Sequence, residues 1–327
     1  MISQNLAHGT RTCYNEGVKK GWLWTIAALA GLLALEGAAR VLSRPWPTLA
    51  DFALRRETLA GAGARRAPTR VLIVGDSIVY GHEVSARDAY PTVIAALWEA
   101  AHPDCPVAFV NGGANGLTTM HGVQMLPLLL DKFGPQVVVI AFGLNDANLA
   151  RSYSDARLEA AFAAPTWVRV MRHSRLFVGL ERRWRRWQAQ YAAWEGKRWE
   201  PRVSEGIFAQ ALGWMGRRAE RAGARVVFLT TTPLAPEFRP ELDAASRLEL
   251  RRSCDAYNAR VRAVASARRA RLLDVYAELR LAPGDWLEDG VHLSANGYRK
   301  LAAYVYAGLE PLLLGLPACD EPTGVVR

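Results

Sequence analysis

Short apolar runs alternate with amphipathic stretches along most of this chain. The runs are rich in Val, Ile, Leu and Phe, and they occupy residues 70–74, 107–110, 136–142, 225–230 and 271–275. Between or after them, apolar residues recur with helical spacing at residues 90–101, 125–133, 247–270 and 296–314. Strands that alternate with helices indicate a parallel sheet covered on both faces. We therefore predict a three-layer α/β/α domain with a parallel five-stranded sheet.

Composition divides the chain into segments around this domain. We assign residues 1–42 to an N-terminal segment with a membrane anchor or signal, 43–69 to a linker with one short helix, 70–316 to the α/β/α domain and 317–327 to a C-terminal tail. Proline residues together with alternating Ala, Gly and Arg mark the linker. A chain of 327 residues is long enough to bury one substantial core.

A Trp- and Arg-rich insertion, at about residues 149–214, separates the third and fourth predicted strands. Four of its aromatic residues fall on one helical stripe: Trp184, Trp187, Tyr191 and Trp194. A helical hairpin that packs these rings onto the core explains the stripe. A lid that lines the substrate site, or an interfacial helix that rests on lipid, explains it as well.

The N-terminal segment contains a continuous apolar stretch, residues 22–35, interrupted only by Thr25 and Gly31. A transmembrane helix needs about 20 residues, and the stretch reaches Leu42 if Glu36 and Arg40 lie near the far interface. A cleaved signal peptide and a buried soluble helix are the alternatives. Lys and Arg flank both ends, so the positive-inside rule is ambiguous. We expect a single-pass anchor in a bacterial-type cytoplasmic membrane, with the main domain outside the cytoplasm, or secretion after signal cleavage.

Charge and cysteine content narrow the function classes only slightly. The net charge of +10 comes mostly from scattered arginines, and no nucleic-acid motif is present, so no nucleic-acid partner is expected. The cysteines Cys13, Cys105, Cys254 and Cys319 lie far apart without metal-ligand spacing, and they indicate no disulfide pattern. The sequence gives no information on the oligomeric state.

Four polar turns carry the candidate chemistry. They are Gly75-Asp76-Ser77, Asn111 to Gly116, Gly143-Leu144-Asn145-Asp146, and Asp289-Gly290-Val291-His292. Ligands of open α/β sheets bind beyond the carboxyl ends of the strands, where a serine is well placed as a nucleophile. A serine needs a base, and the base needs an acceptor for its second N–H; His292 and Asp289 can supply these. The N–H groups of Ser77 and Gly116 and the side-chain amide of Asn145 can stabilise an oxyanion.

These four turns resemble the four blocks of the SGNH hydrolases, also called GDSL-like lipases and esterases. Ser77 matches the first block, Gly116 the second within NGGANGLTT, Asn145 the third within GLND, and His292 the fourth within DGVHLSANGY. Asp289 takes the position of the family's acid. The resemblance covers residues 70–314 apart from the Trp-rich insertion. It implies a flavodoxin-like fold, a catalytic triad of Ser77, Asp289 and His292, and no metal or organic cofactor.

Other roles for these residues and their neighbours have less support in the sequence. His82 and His121 are rival bases, but His82 follows the serine turn too closely and neither has an acid in a matching turn. Asp289 and His292 as metal ligands lack a third ligand cluster. Asp76 and Asp146 fit better as caps of turns or helices than as reacting groups, and Gly112 and Gly113 fit backbone geometry. The chain lacks a G-x-S-x-G elbow, an S-x-x-K pair, a phosphate loop and an H-E-x-x-H pair.

The resemblance predicts a serine esterase that acts through an acyl-enzyme on an O-acyl substrate, such as an O-acetyl glycan. Within the same class, an O-acyltransferase acting on a cell-envelope polysaccharide and a lipase or lysophospholipase are alternatives. A catalytically silent glycan-binding protein is the alternative of another class, and a broken triad would distinguish it. The expected partners are an ester-bearing small molecule, glycan or lipid, and the membrane at the N-terminal helix.

Overall fold

The computed structural model describes residues 25–26, 28–38, 49–54, 59–61, 67, 69–150, 155–163, 171, 174, 176–177, 180 and 200–316. The chain separates into two compact units. One contains Met1–Trp46 and Ala164–Gly196, and the other contains Pro47–Ala163 and Lys197–Arg327. The predicted active-site residues all lie in the second unit.

A six-stranded sheet forms the centre of the second unit. Its strands are β1 (Leu59–Ala60), β2 (Thr69–Gly75), β3 (Val107–Gly113), β4 (Val137–Ala141), β7 (Arg225–Leu229) and β8 (Arg271–Leu273), in the spatial order β1-β3-β2-β4-β7-β8. The last five strands in this order are parallel, and β1 pairs antiparallel with β3. The parallel strands thus follow the flavodoxin-like order 2-1-3-4-5, and the predicted parallel five-stranded sheet is confirmed.

Helices cover both faces of the sheet. The helices of the second unit are α1 (Ser77–Tyr80), α2 (Tyr90–Ala101), α3 (Thr119–Phe133), α4 (Leu144–Ala147), α5 (Ala156–Phe162), α6 (Glu205–Arg221), α7 (Ala244–Arg268), α8 (Val275–Glu278) and α9 (Ala295–Leu314). Short 3-10 helices occur at Leu49–Phe52, Ala86–Asp88 and Pro283–Asp285. Helices α3, α6 and α7 pack on one face with Leu72 and Val74, and α2 and α9 pack on the other with Val71 and Ile73. Alternate residues of one strand therefore enter different cores, and the predicted three layers are confirmed.

The structure differs from the predicted elements mainly at two places. Helix α3 begins at Thr119 rather than residue 125, because Thr118 caps it and His121 completes the capping box. Gly122, which weakens the helical signal of this turn, is needed there: a Cβ atom would lie 2.8 Å from the Phe142 ring. Strand β1 lies within the predicted linker, where its two residues pair with Phe109 and Val110 at the edge of the sheet.

Two short paired strands lie within the predicted insertion, one at its start and one after residue 199. These are β5 (Leu149–Ala150) and β6 (Glu200–Pro201), with Leu149 opposite Pro201. Helix α6 follows β6 directly and buries Phe208, Leu212 and Met215 in the core. Trp214, the predicted end of the insertion, therefore lies within a core helix that connects β4 to β7. The aromatic stripe Trp184, Trp187, Tyr191 and Trp194 lies outside the described residues.

The described part of the N-terminal segment is helical at residues 25–26 and 28–38. Its apolar side chains are exposed, Leu33 by 73%. In the ranges that the structure describes, no helix combines the length and the apolar character that crossing a bilayer requires. The transmembrane helix predicted from the sequence is therefore not supported, and residues 39–42 of the predicted span, with Trp22 and Trp24, lie outside the described residues.

Candidate active site

Ser77 lies at the carboxyl edge of the sheet because strand β2 ends at Gly75. Gly75 approaches β4 closely, since a Cβ atom there would lie 2.4 Å from the carbonyl oxygen of Ala141. Asp76 then caps α1 by accepting the N–H of Ile78 at 3.0 Å, and Ser77 is the first residue of this helix. The first N–H groups of a helix have no acceptor within the helix, so the N–H of Ser77 is available to a ligand.

The second polar turn supports the short helix that carries Ser77. The side chain of Asn111 donates from Nδ2 to the carbonyl oxygen of Val79 at 2.9 Å, and its Oδ1 accepts the N–H of Gly113 at 3.0 Å. A Cβ atom on Gly113 would lie 2.4 Å from the backbone nitrogen of Tyr80. The requirement for glycine at 113 is therefore one of close backbone approach, and it fixes α1 against β3.

Ser77, His292 and Asp289 form a continuous hydrogen-bonded chain. Ser77 Oγ lies 2.9 Å from His292 Nε2, and His292 Nδ1 lies 2.5 Å from Asp289 Oδ2. Ser77 is 4% exposed, and the His292 side chain is 19% exposed. A base within hydrogen-bond reach of a hydroxyl, itself oriented by a carboxylate on its other nitrogen, is the arrangement that activates a serine.

The loop of Asp289 is held independently of the imidazole. Asp289 Oδ1 accepts the N–H groups of Val291 at 3.0 Å and His292 at 2.9 Å. Burial raises the pKa of Asp289, but these two bonds and the contact with His292 outweigh it, so the pKa of the carboxyl lies below its usual value. The carboxylate of Asp289 is therefore ionised at neutral pH. Gly290 has φ +63°, and a Cβ atom there would meet Phe238 at 2.6 Å.

A hydrogen bond links Asn145 to the turn that contains Gly116. Asn145, on α4, donates from Nδ2 to the carbonyl oxygen of Leu117 at 3.0 Å. An Asn amide has two N–H bonds, so this contact orients the second one. Gly116 has φ +73°, and its carbonyl oxygen accepts Nη1 of Arg202 at 3.0 Å. The structure thus joins the predicted second and third blocks through Leu117, and their role as oxyanion donors stays a prediction.

Two carboxyls behind the site have pKa values well above the usual range of an aspartate. Asp76 and Asp146 are buried, and burial raises the pKa of each to about 7. Asp146 Oδ1 accepts the backbone N–H and the hydroxyl of Thr119, whereas its Oδ2 is buried without a hydrogen-bond partner. Asp146 therefore closes the N-terminus of α3, and Asp76 closes that of α1. Both act as caps in the structure, as the sequence indicates.

The rival histidines occupy other positions. The ring of His82 contacts that of His292 at a tilt of 44°, with centroids 4.3 Å apart, and it lies beside the base rather than between the base and Ser77. His121 Nδ1 lies 3.0 Å from the Thr118 hydroxyl and accepts the Thr118 N–H at 3.3 Å. Burial lowers the pKa of His121. In the structure Ser77 is bonded to His292, and neither rival takes that place.

Asp155 and Arg202 are neighbours of the site that the sequence does not single out. Both lie within the predicted insertion, 47 residues apart, and their ion pair contacts the Gly116 turn. A local pattern cannot indicate such a contact, because it depends on how the insertion closes. Within the described ranges, no group of three or more His, Cys, Asp or Glu side chains is placed to hold a metal ion. The expectation that the reaction needs no metal stays a prediction.

A serine, a histidine and an aspartate joined in this way at the carboxyl edge of a parallel sheet form the constellation of a serine hydrolase. The model of the GDSL-like Lipase/Acylhydrolase family matches residues 73–300, well over half of the chain. The chain therefore belongs to the GDSL-like lipase/acylhydrolase family, a family of ester-bond hydrolases, and the resemblance read from the four blocks is confirmed.

Individual relatives agree with this family. The chain is 34% identical over 86 residues to an arylesterase of Vibrio mimicus, covering 26% of this chain and 42% of the relative. It is 33% identical over 76 residues to thioesterase 1/protease 1/lysophospholipase L1 of Escherichia coli K12, covering 23% of this chain and 34% of the relative. The chain thus spans less than half the length of these curated relatives. A lipase/acylhydrolase structure from Enterococcus faecalis superposes with a TM-score of 0.51 at 19% identity, over 75% of this chain and 96% of the other, which supports the fold.

Proposed function

We propose that this protein is a serine esterase that cleaves O-acyl substrates through an acyl-enzyme. The observation that carries the proposal is the 2.9 Å contact between Ser77 Oγ and His292 Nε2, with Asp289 on the other imidazole nitrogen at 2.5 Å. The family supports the same reaction class. In a catalytically silent glycan-binding protein nothing would maintain this alignment, so the intact triad favours an enzyme.

The proposed acylation step follows from the hydrogen bonds of the triad. Ser77 Oγ attacks the ester carbonyl carbon while its proton moves to His292 Nε2. The carbonyl π electrons move to oxygen, and the resulting oxyanion is stabilised by the N–H groups of Ser77 and Gly116 and the amide of Asn145. Asp289 stays ionised and stabilises the imidazolium. When the tetrahedral intermediate collapses, the C–O bond to the alcohol breaks and His292 returns the proton to the leaving alcohol.

The acyl-enzyme is then released by a second nucleophile. Water attacks the acyl carbon and gives a proton to His292, and Ser77 leaves with that proton, so the products are a carboxylic acid and the free enzyme. If a sugar hydroxyl replaces water, the same steps transfer the acyl group to the sugar. An O-acyltransferase acting on a cell-envelope polysaccharide is therefore the second candidate, distinguished by the acceptor alone.

Among O-acyl substrates we propose a short-chain ester, such as an O-acetyl glycan. A lipase or lysophospholipase is the other candidate, favoured by the exposed apolar helix at residues 28–38 and by the lysophospholipase name of one relative. A series of p-nitrophenyl esters from acetyl to long chain separates the two, because kcat/KM falls with chain length for the first and rises for the second.

We propose that the N-terminal segment holds the enzyme at the outer face of the cytoplasmic membrane. The apolar stretch at residues 22–35 and the exposure of its leucines support attachment to lipid. Cys105 is disulfide-bonded, whereas Cys254 is a free buried thiol. Structural disulfides persist in oxidising compartments, so the bond at Cys105 supports a location outside the cytoplasm.

Covalent labelling of the nucleophile tests the proposed reaction. A fluorophosphonate probe reacts with activated serines, and we expect one adduct, on Ser77. The Ser77→Ala variant is expected to lose both the adduct and the hydrolysis of p-nitrophenyl acetate while keeping the wild-type melting temperature. Ser85→Ala, a second serine close in sequence and outside the triad, is the control. An adduct that survives Ser77→Ala, or one that maps to another peptide, rejects the assignment.

A further inference from the structure

An ion pair closes the base of the insertion beside the active site. Arg202 donates from Nε and Nη2 to Asp155 Oδ2, each at 3.0 Å. The Asp155 side chain is 2% exposed and that of Arg202 is 17% exposed. A charge buried to this extent is stable only with its partner, so the position of one side chain determines that of the other.

The same guanidinium reaches the turn of the second block. Arg202 Nη1 donates to the carbonyl oxygen of Gly116 at 3.0 Å. A guanidinium is planar, and its N–H groups form a rigid fork. When Nε and Nη2 are fixed on Asp155, the direction of Nη1 is fixed as well. A lysine cannot reproduce this, because its ammonium is a single point of contact on a flexible stem.

The Gly116 turn depends on such polar contacts for its conformation. Gly116 has φ +73°, and no atom lies within 4 Å of the place where its Cβ would be. Packing therefore does not hold this residue. Instead, two successive carbonyl oxygens accept side-chain hydrogen bonds: that of Gly116 from Arg202, and that of Leu117 from Asn145, each at 3.0 Å. The N–H of Gly116 lies in the preceding peptide plane, joined to the Gly116 carbonyl through the φ and ψ of this residue, so holding the carbonyl restrains the direction of that N–H.

Asp155 and Arg202 stand where the insertion leaves and returns. Beside them, β5 and β6 pair Leu149 with Pro201, and the N–H of Arg202 donates to the carbonyl oxygen of Asn148 at 3.1 Å. The closure of the insertion thereby places the guanidinium. The contact with Gly116 connects that closure to the catalytic edge of the sheet.

We infer that Asp155 and Arg202 are positioning residues of the oxyanion hole. Their ion pair holds the carbonyl group of Gly116 in place, which restrains the direction of the Gly116 N–H and so affects how well it stabilises the transition state. This inference rests on the proposed esterase function. It concerns a step that substrate binding does not share, since an oxyanion forms only after Ser77 attacks. Loss of the ion pair therefore lowers kcat and leaves KM nearly unchanged.

Four substitutions test the inference on the full-length protein. Arg202→Gln removes the cation, Arg202→Lys keeps the charge without the fork, and Asp155→Asn removes the carboxylate charge. Arg260→Lys is the matched control, because Arg260 also donates to a carboxylate, Glu205, at 3.0 Å, but on the exposed surface between α6 and α7. The measurements are kcat and KM for p-nitrophenyl acetate, the melting temperature, and the inhibition constant of an alkyl boronic acid. The boronic acid forms a tetrahedral adduct with the serine and therefore reports oxyanion binding.

For the three variants of the pair we expect kcat to fall about 10-fold or more, less than the roughly 10²-fold loss when an oxyanion donor is removed outright. The inhibition constant of the boronic acid is expected to rise in parallel, KM to change less than 3-fold, and Arg260→Lys to match the wild type. If Arg202→Gln does not fold, Arg202→Lys decides, since it retains the cation.

The outcomes separate this inference from the proposed function. A wild-type protein that neither hydrolyses esters nor reacts with a fluorophosphonate at Ser77 overturns both. An active wild type whose Arg202→Lys and Asp155→Asn variants keep kcat and boronic-acid inhibition overturns only the inference. A lowered melting temperature with unchanged kcat likewise assigns the ion pair to stability alone.

Discussion

At the scale of single residues, the two ring nitrogens of His292 have different partners and different roles. Nε2 faces Ser77 and is the atom that takes the proton, whereas Nδ1 faces Asp289, which fixes the tautomer. Asp289 has a second task, since its Oδ1 holds two backbone N–H groups of the same loop. An asparagine at 289 can preserve the second task while it disturbs the first.

This division of roles predicts an order of effects for two substitutions. His292→Ala removes the base, so kcat is expected to fall by several orders of magnitude. Asp289→Asn is expected to lower kcat by a smaller factor, because the imidazole remains beside Ser77. Steady-state kinetics with p-nitrophenyl acetate measures both, and circular dichroism checks the fold. If Asp289→Asn is the more severe change, the base is a different residue, and His82, whose ring contacts that of His292, is the first to examine.

Asn145 is predicted to contribute to turnover through its free N–H. We expect Asn145→Ala to lower kcat by about 10²-fold or more, the typical effect of losing one oxyanion donor. Asn148→Ala is the matched control, because it makes the same change at a half-buried residue at the end of the same helix. Equal kinetics for the two variants would show that Asn145 serves only to hold the carbonyl of Leu117.

The buried carboxyl of Asp146 predicts how stability depends on pH. Its native pKa is raised from 3.8 to about 7, mainly by burial. Between these values the folded protein binds a proton that the unfolded chain has released. Stability from this group is therefore fully present below about pH 4 and declines as pH rises through about 7. A difference of this size corresponds to about 4 kcal/mol as an upper estimate.

In the Asp146→Asn variant, the free energy of unfolding is expected to fall less as pH rises. An asparagine accepts the Thr119 hydrogen bonds without acquiring a charge, so unfolding by urea at pH 5 and pH 8 should give more similar free energies than in the wild type. Asp131→Asn, at an exposed site on α3, is the control. An unchanged difference between the two pH values would place the proton on another group. Asp76, also raised to about 7, is the first alternative.

Residues of this site differ in how far the sequence reveals them. Ser77, Asn145 and His292 are each preceded by a strand or a glycine-containing turn, and together they match a family pattern. The contact between Ser77 and His292, across 215 residues of sequence, follows once the sheet order is known. Arg202 and Asp155 carry no such signal, because any of the many arginines near the insertion could make an ion pair. Only the tertiary structure shows that Arg202 is the arginine that pairs with Asp155.

At the scale of secondary-structure elements, the active site depends on how tightly α1 lies against β3. The helix has only four residues, Ser77–Tyr80, and cannot be stable alone. It is held by the side chain of Asn111 and by the absence of a side chain at Gly113. The position of the nucleophile is therefore a property of the β3 turn as much as of its own segment.

Enlarging Gly113 tests this coupling. A Cβ atom there would lie 2.4 Å from the nitrogen of Tyr80 and 2.7 Å from the carbonyl carbon of Val79, both backbone atoms. We therefore expect Gly113→Ala to lower the melting temperature and to lower kcat, since α1 must move with Ser77. Gly206→Ala on α6 is the control: it has open space and is expected to be neutral or slightly stabilising. Similar behaviour of the two variants would contradict the close packing of α1 on β3.

The sequence predicts secondary-structure elements well where burial produces a continuous apolar run. It predicts them less well where contacts with other parts of the fold determine the element. The five parallel strands stand out because they are continuous apolar runs buried on both faces. Strand β1 escapes prediction because two residues carry no periodicity, and its pairing is supplied by β3. The first turn of α3 escapes prediction because Gly122 and polar residues conceal it, although its cap and its contact with Phe142 make it helical.

At the scale of the whole molecule, the N-terminal helix belongs to the same compact unit as residues 164–196, the central part of the insertion. Glu36 accepts the hydroxyl of Ser174 at 2.7 Å and the N–H of Leu176 at 3.1 Å. The sequence predicts Glu36 near a membrane interface, and in the structure its carboxylate has partners within the insertion. Segments more than 130 residues apart therefore meet, which no local pattern indicates.

This association predicts that membrane attachment involves the N-terminal segment and the insertion together. If both lie at the outer membrane surface, a reporter such as alkaline phosphatase fused after Leu316 is active, whereas a cytoplasmic reporter at the same position is not. The protein remains with the membrane after an alkaline carbonate wash, and peptide mapping of the denatured protein without reductant finds Cys105 in a disulfide and Cys254 alkylated by iodoacetamide. A reporter fused to the Ser77→Ala variant controls for effects of activity on the host. An active cytoplasmic reporter, or complete release by carbonate, would reject the location, and a released form that begins near residue 40 would assign the N-terminal stretch to a cleaved signal.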